Sequence, residues 1–180
     1  MPSALFLLAE GFEELEAIAP LDLLRRAGID VTVAALSPGI HVTGRCGLTV
    51  HADAPLDALP ANTLFDALVL PGGPGVKHLR ADPRVRASVL AHHAGGRLLA
   101  AICAAPTVLF DAGLLAGRRY TAHPSVASEL IERLGDERVV LDGRILTSRG
   151  AGTALDFGFA LVEQLTSTDR SREVSQAICA

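Results

Sequence analysis

Short, uninterrupted apolar runs alternate with helical stretches along this chain. The runs at residues 4–9, 65–70 and 98–102 lack the alternation of a half-buried strand, so each predicts a strand buried on both faces. The remaining predicted elements are strands at 30–36, 139–141 and 144–146, a hairpin or edge pair at 42–52, helices at 13–27, 82–94, 107–115, 125–134 and 153–165, and a short helical piece in the polar tail after residue 167. Alternating strands and helices predict an α/β fold with a mostly parallel sheet covered on both faces.

Composition limits the classes of partner. The 180 residues suit one domain, 1–180, and 49% hydrophobic with 20% charged residues is a globular composition. The net charge of -4 comes without a basic cluster, so no nucleic-acid partner is predicted. No apolar run approaches the roughly 18 residues that cross a bilayer, so no membrane partner is predicted. The three cysteines form no CxxC pair and no disulfide framework, which favours a reducing cytoplasm.

The apolar run 98–102 ends abruptly in Cys103, and two alanines, a proline and a helical stretch follow. This pattern predicts a buried strand, a tight turn and a helix, with Cys103 at the corner. Open α/β sheets place their chemistry at the carboxyl ends of strands, and a nearby helix N-terminus favours a thiolate with a lowered pKa. The competing interpretation is an inert cysteine packed as a small hydrophobe.

Two further segments combine structural and chemical roles. Glu13, Glu14 and Glu16 open the first predicted helix, where carboxylates suit the helix dipole. Glu16 precedes the apolar face, so its carboxyl group either points to solvent or reaches the sheet end and moves protons. Gly72 and Gly73 follow a strand, and they form either a plain turn or backbone N–H donors for an oxyanion.

Two basic residues also follow predicted strands. His123 comes after a predicted short strand and is either a base for Cys103 or a hydrogen-bonded loop residue. Arg149 lies between a strand end and a glycine turn, where it either binds an anion or forms a surface ion pair. The other histidines show no metal-ligand spacing, and no nucleotide-binding glycine loop occurs, so we predict no metal and no cofactor.

The combined segments resemble the ThiJ/PfpI family, and within it the YajL and protein deglycase (glyoxalase III) branch. The matching segments, in the order of the family, are Ala9-Glu10-Gly11-Phe12-Glu13-Glu14-Leu15-Glu16, Arg25-Arg26-Ala27-Gly28, Leu70-Pro71-Gly72-Gly73, Ala101-Ile102-Cys103-Ala104-Ala105-Pro106, His123-Pro124 and Leu146-Thr147-Ser148-Arg149-Gly150. This resemblance spans residues 4–166. It implies a flavodoxin-like three-layer sandwich of the class I glutamine amidotransferase type, with a nucleophile elbow.

The resemblance also implies a role for each matching residue. Cys103 is the nucleophile, Glu16 its protonated acidic partner, and His123 a nearby histidine poorly oriented for a triad. Backbone N–H groups at Gly73 and Ala104 form the oxyanion hole beside Gly72. Arg26 and Arg149 match positions near the cleft, and a homodimer packs partly through the first helix.

This branch implies a cofactor-independent enzyme that acts on methylglyoxal or on glycated amines and thiols under oxidative and carbonyl stress. The alternatives are a redox sensor or stress chaperone that uses the same thiolate, and a cysteine amidase or peptidase. Ala104 stands where the peptidase branch carries histidine, which disfavours a protease. The order Gly44-Arg45-Cys46-Gly47 also departs from the Cys-Ser-Arg that is frequent in the family, so neither a second redox cysteine nor an anion-binding arginine is assigned there.

Overall fold

A seven-stranded sheet forms the centre of the computed structural model, which describes residues 1–60 and 63–180. Its strands are β1 (Ser3–Leu8), β2 (Asp30–Ala35), β5 (Ala54–Pro55), β6 (Ala67–Leu70), β7 (Leu98–Ile102), β8 (Val139–Asp142) and β9 (Ile145–Ser148). The spatial order is β5-β2-β1-β6-β7-β9-β8, and every neighbouring pair is parallel except β8 with β9. The predicted mostly parallel sheet is therefore confirmed.

Helices cover both faces of the sheet. They are α1 (Glu14–Arg26), α2 (Val76–Ala81), α3 (Pro83–Ala94), α4 (Pro106–Asp111), α5 (Ala154–Leu165) and α6 (Thr168–Ala177). One core cluster joins the sheet to α1, α5 and α6, and a second joins its other face to α2, α3 and α4. This is the flavodoxin-like three-layer sandwich that the resemblance implied. Within the described ranges, no helix has both the length and the apolar character needed to span a membrane.

A separate antiparallel hairpin follows β2. Its strands are β3 (His41–Thr43) and β4 (Thr49–His51), as the alternation at 42–52 predicted. The hairpin tip packs against the start of α1, where the Cys46 N–H donates to Glu14 Oε1 over 2.7 Å and the Arg45 N–H donates to the Phe12 carbonyl over 2.8 Å. This contact brings residues of the tip to the end of α1 that carries Glu16.

Two of the predicted elements are wrong. Residues 125–134 form a short 3-10 turn at Pro124–Val126 followed by irregular turns, and no strand precedes His123. The stretch has no continuous apolar face, because Leu130 is buried while Ile131 is 82% exposed. The Thr121 hydroxyl group also bonds the carbonyls of residues 134 and 137, so these groups are satisfied without a helix.

The buried histidine of α3 makes the stability of the fold depend on pH. His92 Nε2 accepts the Phe65 N–H over 3.1 Å, Nδ1 lies 2.8 Å from the Ser88 carbonyl, and burial lowers the pKa of His92. The unfolded chain therefore takes up this proton at higher pH than the folded chain does. We expect the free energy of unfolding contributed by His92 to be present above about pH 6.5 and to be lost as the pH falls.

Urea unfolding at several pH values measures this effect. His92→Gln is expected to weaken the pH dependence, whereas the same change at the exposed neighbour His93 is expected to preserve it. Equal pH dependence in the wild type and in His92→Gln would contradict the assignment.

Candidate active site

Cys103 occupies a strained backbone corner between β7 and α4. Its φ of 67° lies in the left-handed region, which costs a non-glycine residue about 1–2 kcal/mol and concentrates at functional sites. The Cys103 N–H donates to the Ser148 carbonyl over 2.9 Å, and the Cys103 carbonyl accepts the His123 N–H over 2.8 Å. These bonds fix the corner at the carboxyl end of the sheet and leave the Cys103 side chain partly exposed.

Glu16 is a carboxyl group buried in the first turn of α1. It has no exposed surface, and its Oε2 accepts the Gly72 N–H over 2.9 Å. Its Oε1 has no hydrogen-bond partner of ordinary geometry in the described part of the chain. Burial raises the pKa of Glu16 to about 7, so the neutral acid is well populated near neutral pH.

Gly72 and Gly73 leave room for the loop after β6 to approach both Cys103 and α1. A Cβ on Gly72 would lie 2.5 Å from Cys103 Cβ and 2.5 Å from Glu16 Oε2, so those two atoms are no more than 5 Å apart. Gly73 has a φ of 91°, and a Cβ there would lie 2.6 Å from the Glu13 nitrogen. Neither position accommodates a side chain while the site keeps this arrangement.

Gly72→Ala tests this close approach. The added methyl group has to displace Glu16 or Cys103. We therefore expect any catalysis that uses Cys103 to slow sharply and the free energy of unfolding to fall by about 1–3 kcal/mol. Urea unfolding and activity are measured beside Gly39→Ala, whose Cβ meets nothing within 4 Å. Unchanged activity in Gly72→Ala would contradict the geometry.

The pKa of Cys103 is raised, whereas the sequence predicted that it would be lowered. Burial raises the pKa of the Cys103 thiol to about 12, and the charge of Glu16 adds to the rise, while the N–H groups of Gly73 and Ala104 act in the opposite direction. Two neighbouring buried acids do not both ionise near neutral pH, so the pair retains one proton there. A thiolate forms in this pocket only while Glu16 holds that proton.

Two charged residues that the sequence left without a role at the site act on Glu16. The Glu13 side chain caps α1 by accepting the Glu16 N–H over 2.9 Å. After burial and the Cys103 thiol, the negative charge of Glu13 raises the pKa of Glu16, and the positive charge of Arg45 lowers it. The sequence placed Arg45 at the glycine-flanked tip of the predicted hairpin, but it did not show that the tip folds back onto α1.

His123 lies beside Cys103 through its backbone, but its side chain is engaged elsewhere. Its exposed ring points Nδ1 at Ser125, which contributes its N–H over 3.1 Å and its hydroxyl over 2.9 Å. No carboxylate in the described ranges bonds this ring. Arg149 follows β9 at the same sheet edge, and its guanidinium lies 3.3 Å from the Gly135 carbonyl.

Within one chain, Arg26 lies at the opposite end of α1 from Glu16. Arg26 ends α1 and pairs with Asp22 over 2.7 Å, whereas Glu16 lies ten residues earlier, about 15 Å along the helix axis. Across residues 1–60 and 63–180, no group of three or more histidine, cysteine or acidic side chains is arranged to hold a metal ion.

Comparisons with known sequences place this chain in a family. The profile of the DJ-1/PfpI family matches residues 2–164. Protein dj-1beta of Drosophila melanogaster is 41% identical over 180 residues, which are 98% of this chain and 96% of that protein. A Caenorhabditis elegans protein named glutathione-independent glyoxalase DJR-1.2 is 35% identical over 181 residues, with 98% and 96% of the two chains covered.

Solved structures of DJ-1 proteins are similar to this chain over nearly its whole length. The crystal structure of Drosophila melanogaster DJ-1beta superposes with a TM-score of 0.95 at 39% identity and covers 99% of this chain and 98% of its own. The structure of oxidized Toxoplasma gondii DJ-1 superposes with a TM-score of 0.93 at 33% identity, with the same coverage.

Proposed function

Because this chain belongs to the DJ-1/PfpI family, we propose that it is a cofactor-independent enzyme of the glyoxalase III or deglycase type. The observation that carries the proposal is the convergence at Cys103: a strained corner, a buried carboxyl group with a raised pKa, and two backbone N–H groups that act on the thiol. The proposed substrates are methylglyoxal and glycated amines or thiols, including those on proteins, in the cytoplasm. A relative named as a glutathione-independent glyoxalase supports this class.

The proposed reaction begins when the Cys103 thiolate adds to the aldehyde carbon of methylglyoxal. The carbonyl electron pair moves to oxygen, where the N–H groups of Gly73 and Ala104 stabilise the charge, and Glu16 delivers its proton to give a hemithioacetal. The Glu16 carboxylate then removes the proton from that carbon to give an enediol and returns it to the neighbouring carbon, while the hydroxyl proton passes from the first oxygen to the second, which leaves a lactoyl thioester. Water cleaves the thioester to lactate and regenerates the thiol, so no external oxidant or reductant is needed.

The raised pKa of Glu16 suits both of its proposed proton transfers. A group with a pKa of about 7 is able to give a proton in one step and to take one in the next. Its burial also excludes bulk water from the proton. An ordinary exposed glutamate would be almost fully ionised at neutral pH and would repel the thiolate.

Turnover of methylglyoxal by the purified protein, with lactate as the measured product, tests the proposal. A parallel sample treated with peroxide shows whether lactate formation needs the reduced Cys103 thiol, which a redox sensor or stress chaperone without turnover would not reveal. Lactate formation that is lost on oxidation of Cys103 is the expected result. No lactate from the fully reduced protein would contradict the methylglyoxal reaction.

The second hypothesis is a redox sensor or stress chaperone in which Cys103 is oxidised to a sulfinic acid. It is favoured by the partial exposure of Cys103 beside Glu16 and by the oxidized state of the Toxoplasma gondii relative. Peroxide modification of Cys103 at low peroxide concentration, without lactate formation from the reduced protein, would favour this role over the enzyme.

An amidase or peptidase is the third hypothesis, and the site gives it little support. Expelling an amine requires a base that later protonates the leaving group, usually a histidine oriented by an acid. The His123 ring bonds only Ser125 within the described ranges. Cleavage of casein that depends on Cys103 would promote this hypothesis.

We also propose that the chain forms a homodimer through α1. Leu15 and Ile18 on this helix are 60% and 37% exposed, and Leu48 of the adjoining hairpin is 52% exposed. Leu15 and Ile18 lie three residues apart, so they share one side of the helix, and exposed apolar side chains grouped in this way are typical of surfaces that a partner covers. We further expect Arg26 or its neighbours to lie near this interface, because Arg26 is on the same helix.

Light scattering at low micromolar concentration is expected to give the mass of a dimer. Leu15→Asp is expected to give a monomer, because a carboxylate would be buried without a partner at the interface. Ile131→Asp changes an equally apolar side chain that is 82% exposed elsewhere, and it is expected to remain dimeric. A wild-type monomer of 18.7 kDa would refute the dimer.

A further inference from the structure

Two histidines face each other on the hairpin outside the candidate active site. His41 on β3 and His51 on β4 are directly opposite in the strand register, and both are exposed. Their ring centroids are 4.3 Å apart and the ring planes meet at 78°. Neither ring makes a hydrogen bond within residues 1–60 and 63–180. A ligand that binds the ring nitrogens therefore has to displace only water.

The backbone pairing explains why the two rings are so close. Ala52 donates to the Ile40 carbonyl over 2.7 Å, and Gly44 donates to the Leu48 carbonyl over 2.9 Å. Hydrogen-bonded pairs alternate with non-hydrogen-bonded pairs along an antiparallel ladder, so His41 and His51 form a non-hydrogen-bonded pair, in which side chains approach most closely. The ladder therefore holds the two imidazoles together with little loss of entropy on binding a ligand.

We propose that His41 and His51 chelate one divalent transition-metal ion per chain. Two neutral imidazoles, with water in the remaining positions, are a ligand set that suits Cu²⁺ and Ni²⁺. Calcium and magnesium prefer oxygen ligands and are not expected to bind there. The site lies on the hairpin strands, whereas the contact of the hairpin with α1 is made by its tip, so metal binding is not required for the chemistry at Cys103.

Calorimetric titration of the untagged, reduced protein with Ni²⁺ near neutral pH tests the site. Ni²⁺ is chosen over Cu²⁺ because it does not oxidise the three free thiols. We expect one ion per chain in the wild type. Either His41→Gln or His51→Gln is expected to weaken binding about tenfold or more, since a chelate becomes a single imidazole.

His93→Gln is the matched control, because His93 is an exposed histidine on α3 with no histidine opposite it. It is expected to bind Ni²⁺ as the wild type does, and all three variants are expected to keep methylglyoxal turnover if the wild type has it. Wild-type affinity in either hairpin variant would overturn the proposal. A stoichiometry of half an ion per chain would also overturn it, since the metal would then be shared between two copies. Failure of the proposed enzyme activity leaves the metal result unaffected.

Discussion

Cys103→Ser is expected to reduce methylglyoxal turnover by at least about a thousandfold while the protein keeps its fold. Serine is close to cysteine in size and accommodates the same backbone corner, so the loss reports on chemistry. Its hydroxyl group ionises far less readily than a thiol, and Glu16 is too weak a base to take that proton. Lactate formation and thermal unfolding of the same preparation measure the two properties.

The other cysteines supply the controls. Cys46 and Cys179 are exposed and free, and serine at either position is expected to leave turnover within about twofold of the wild type. His123→Ala is expected to lower turnover only modestly, because the His123 ring bonds Ser125. If Cys103→Ser retained substantial turnover, the covalent route through a hemithioacetal would be excluded.

The sequence predicted the sheet well because its strands are apolar on both faces. The runs that became β1, β6 and β7 lie within one or two residues of their predicted bounds, and the resemblance to the ThiJ/PfpI family is confirmed. The predicted helix at 107–115 ends earlier, at Asp111, and Gly113 follows with a φ of 77°. The short strand β5 and helix α2 were not predicted, since neither has enough residues to establish a periodicity.

The geometry of the site depended on approaches between distant segments, which a local pattern does not contain. Nothing in the residues around Glu16 indicates that the Gly72 N–H, 56 positions later, bonds its carboxyl group. The approach of Arg45 to Glu16 depends in the same way on the docking of the hairpin tip onto α1. For Arg26, a motif match gave no direction along the helix, and the helix length placed it at the far end.

The ionisation of Cys103 also depends on groups that a local sequence pattern does not reveal. A helix N-terminus and two backbone N–H groups favour a thiolate, and the sequence indicated this part of the environment. Burial and the neighbouring carboxyl group act in the other direction and prevail, and both depend on the packed structure. The proton of the pair, and not the helix dipole alone, therefore controls when the thiol becomes nucleophilic.

Glu16→Gln separates the effect of the Glu16 proton on the ionisation of Cys103 from its transfer during the reaction. The amide keeps a hydrogen-bond donor beside Cys103 and keeps the size of the side chain, but it is unable to give or accept the proton of the reaction. We expect turnover to fall by roughly 10²–10⁴-fold, the range for loss of a general acid–base group. Alkylation of Cys103 by iodoacetamide is expected to persist, because the like charge that opposes the thiolate is removed.

The pH dependence distinguishes this role from a structural one. In the wild type, the ionisation of Glu16 with a pKa of about 7 is expected to appear as an inflection in the rate against pH, and in Glu16→Gln the inflection is expected to disappear. Glu14→Gln is the control, since Glu14 lies in the same helical turn and bonds the Cys46 N–H instead of the reacting centre. A wild-type rate in Glu16→Gln, or an unchanged inflection near pH 7, would show that another group moves the proton between the two carbons.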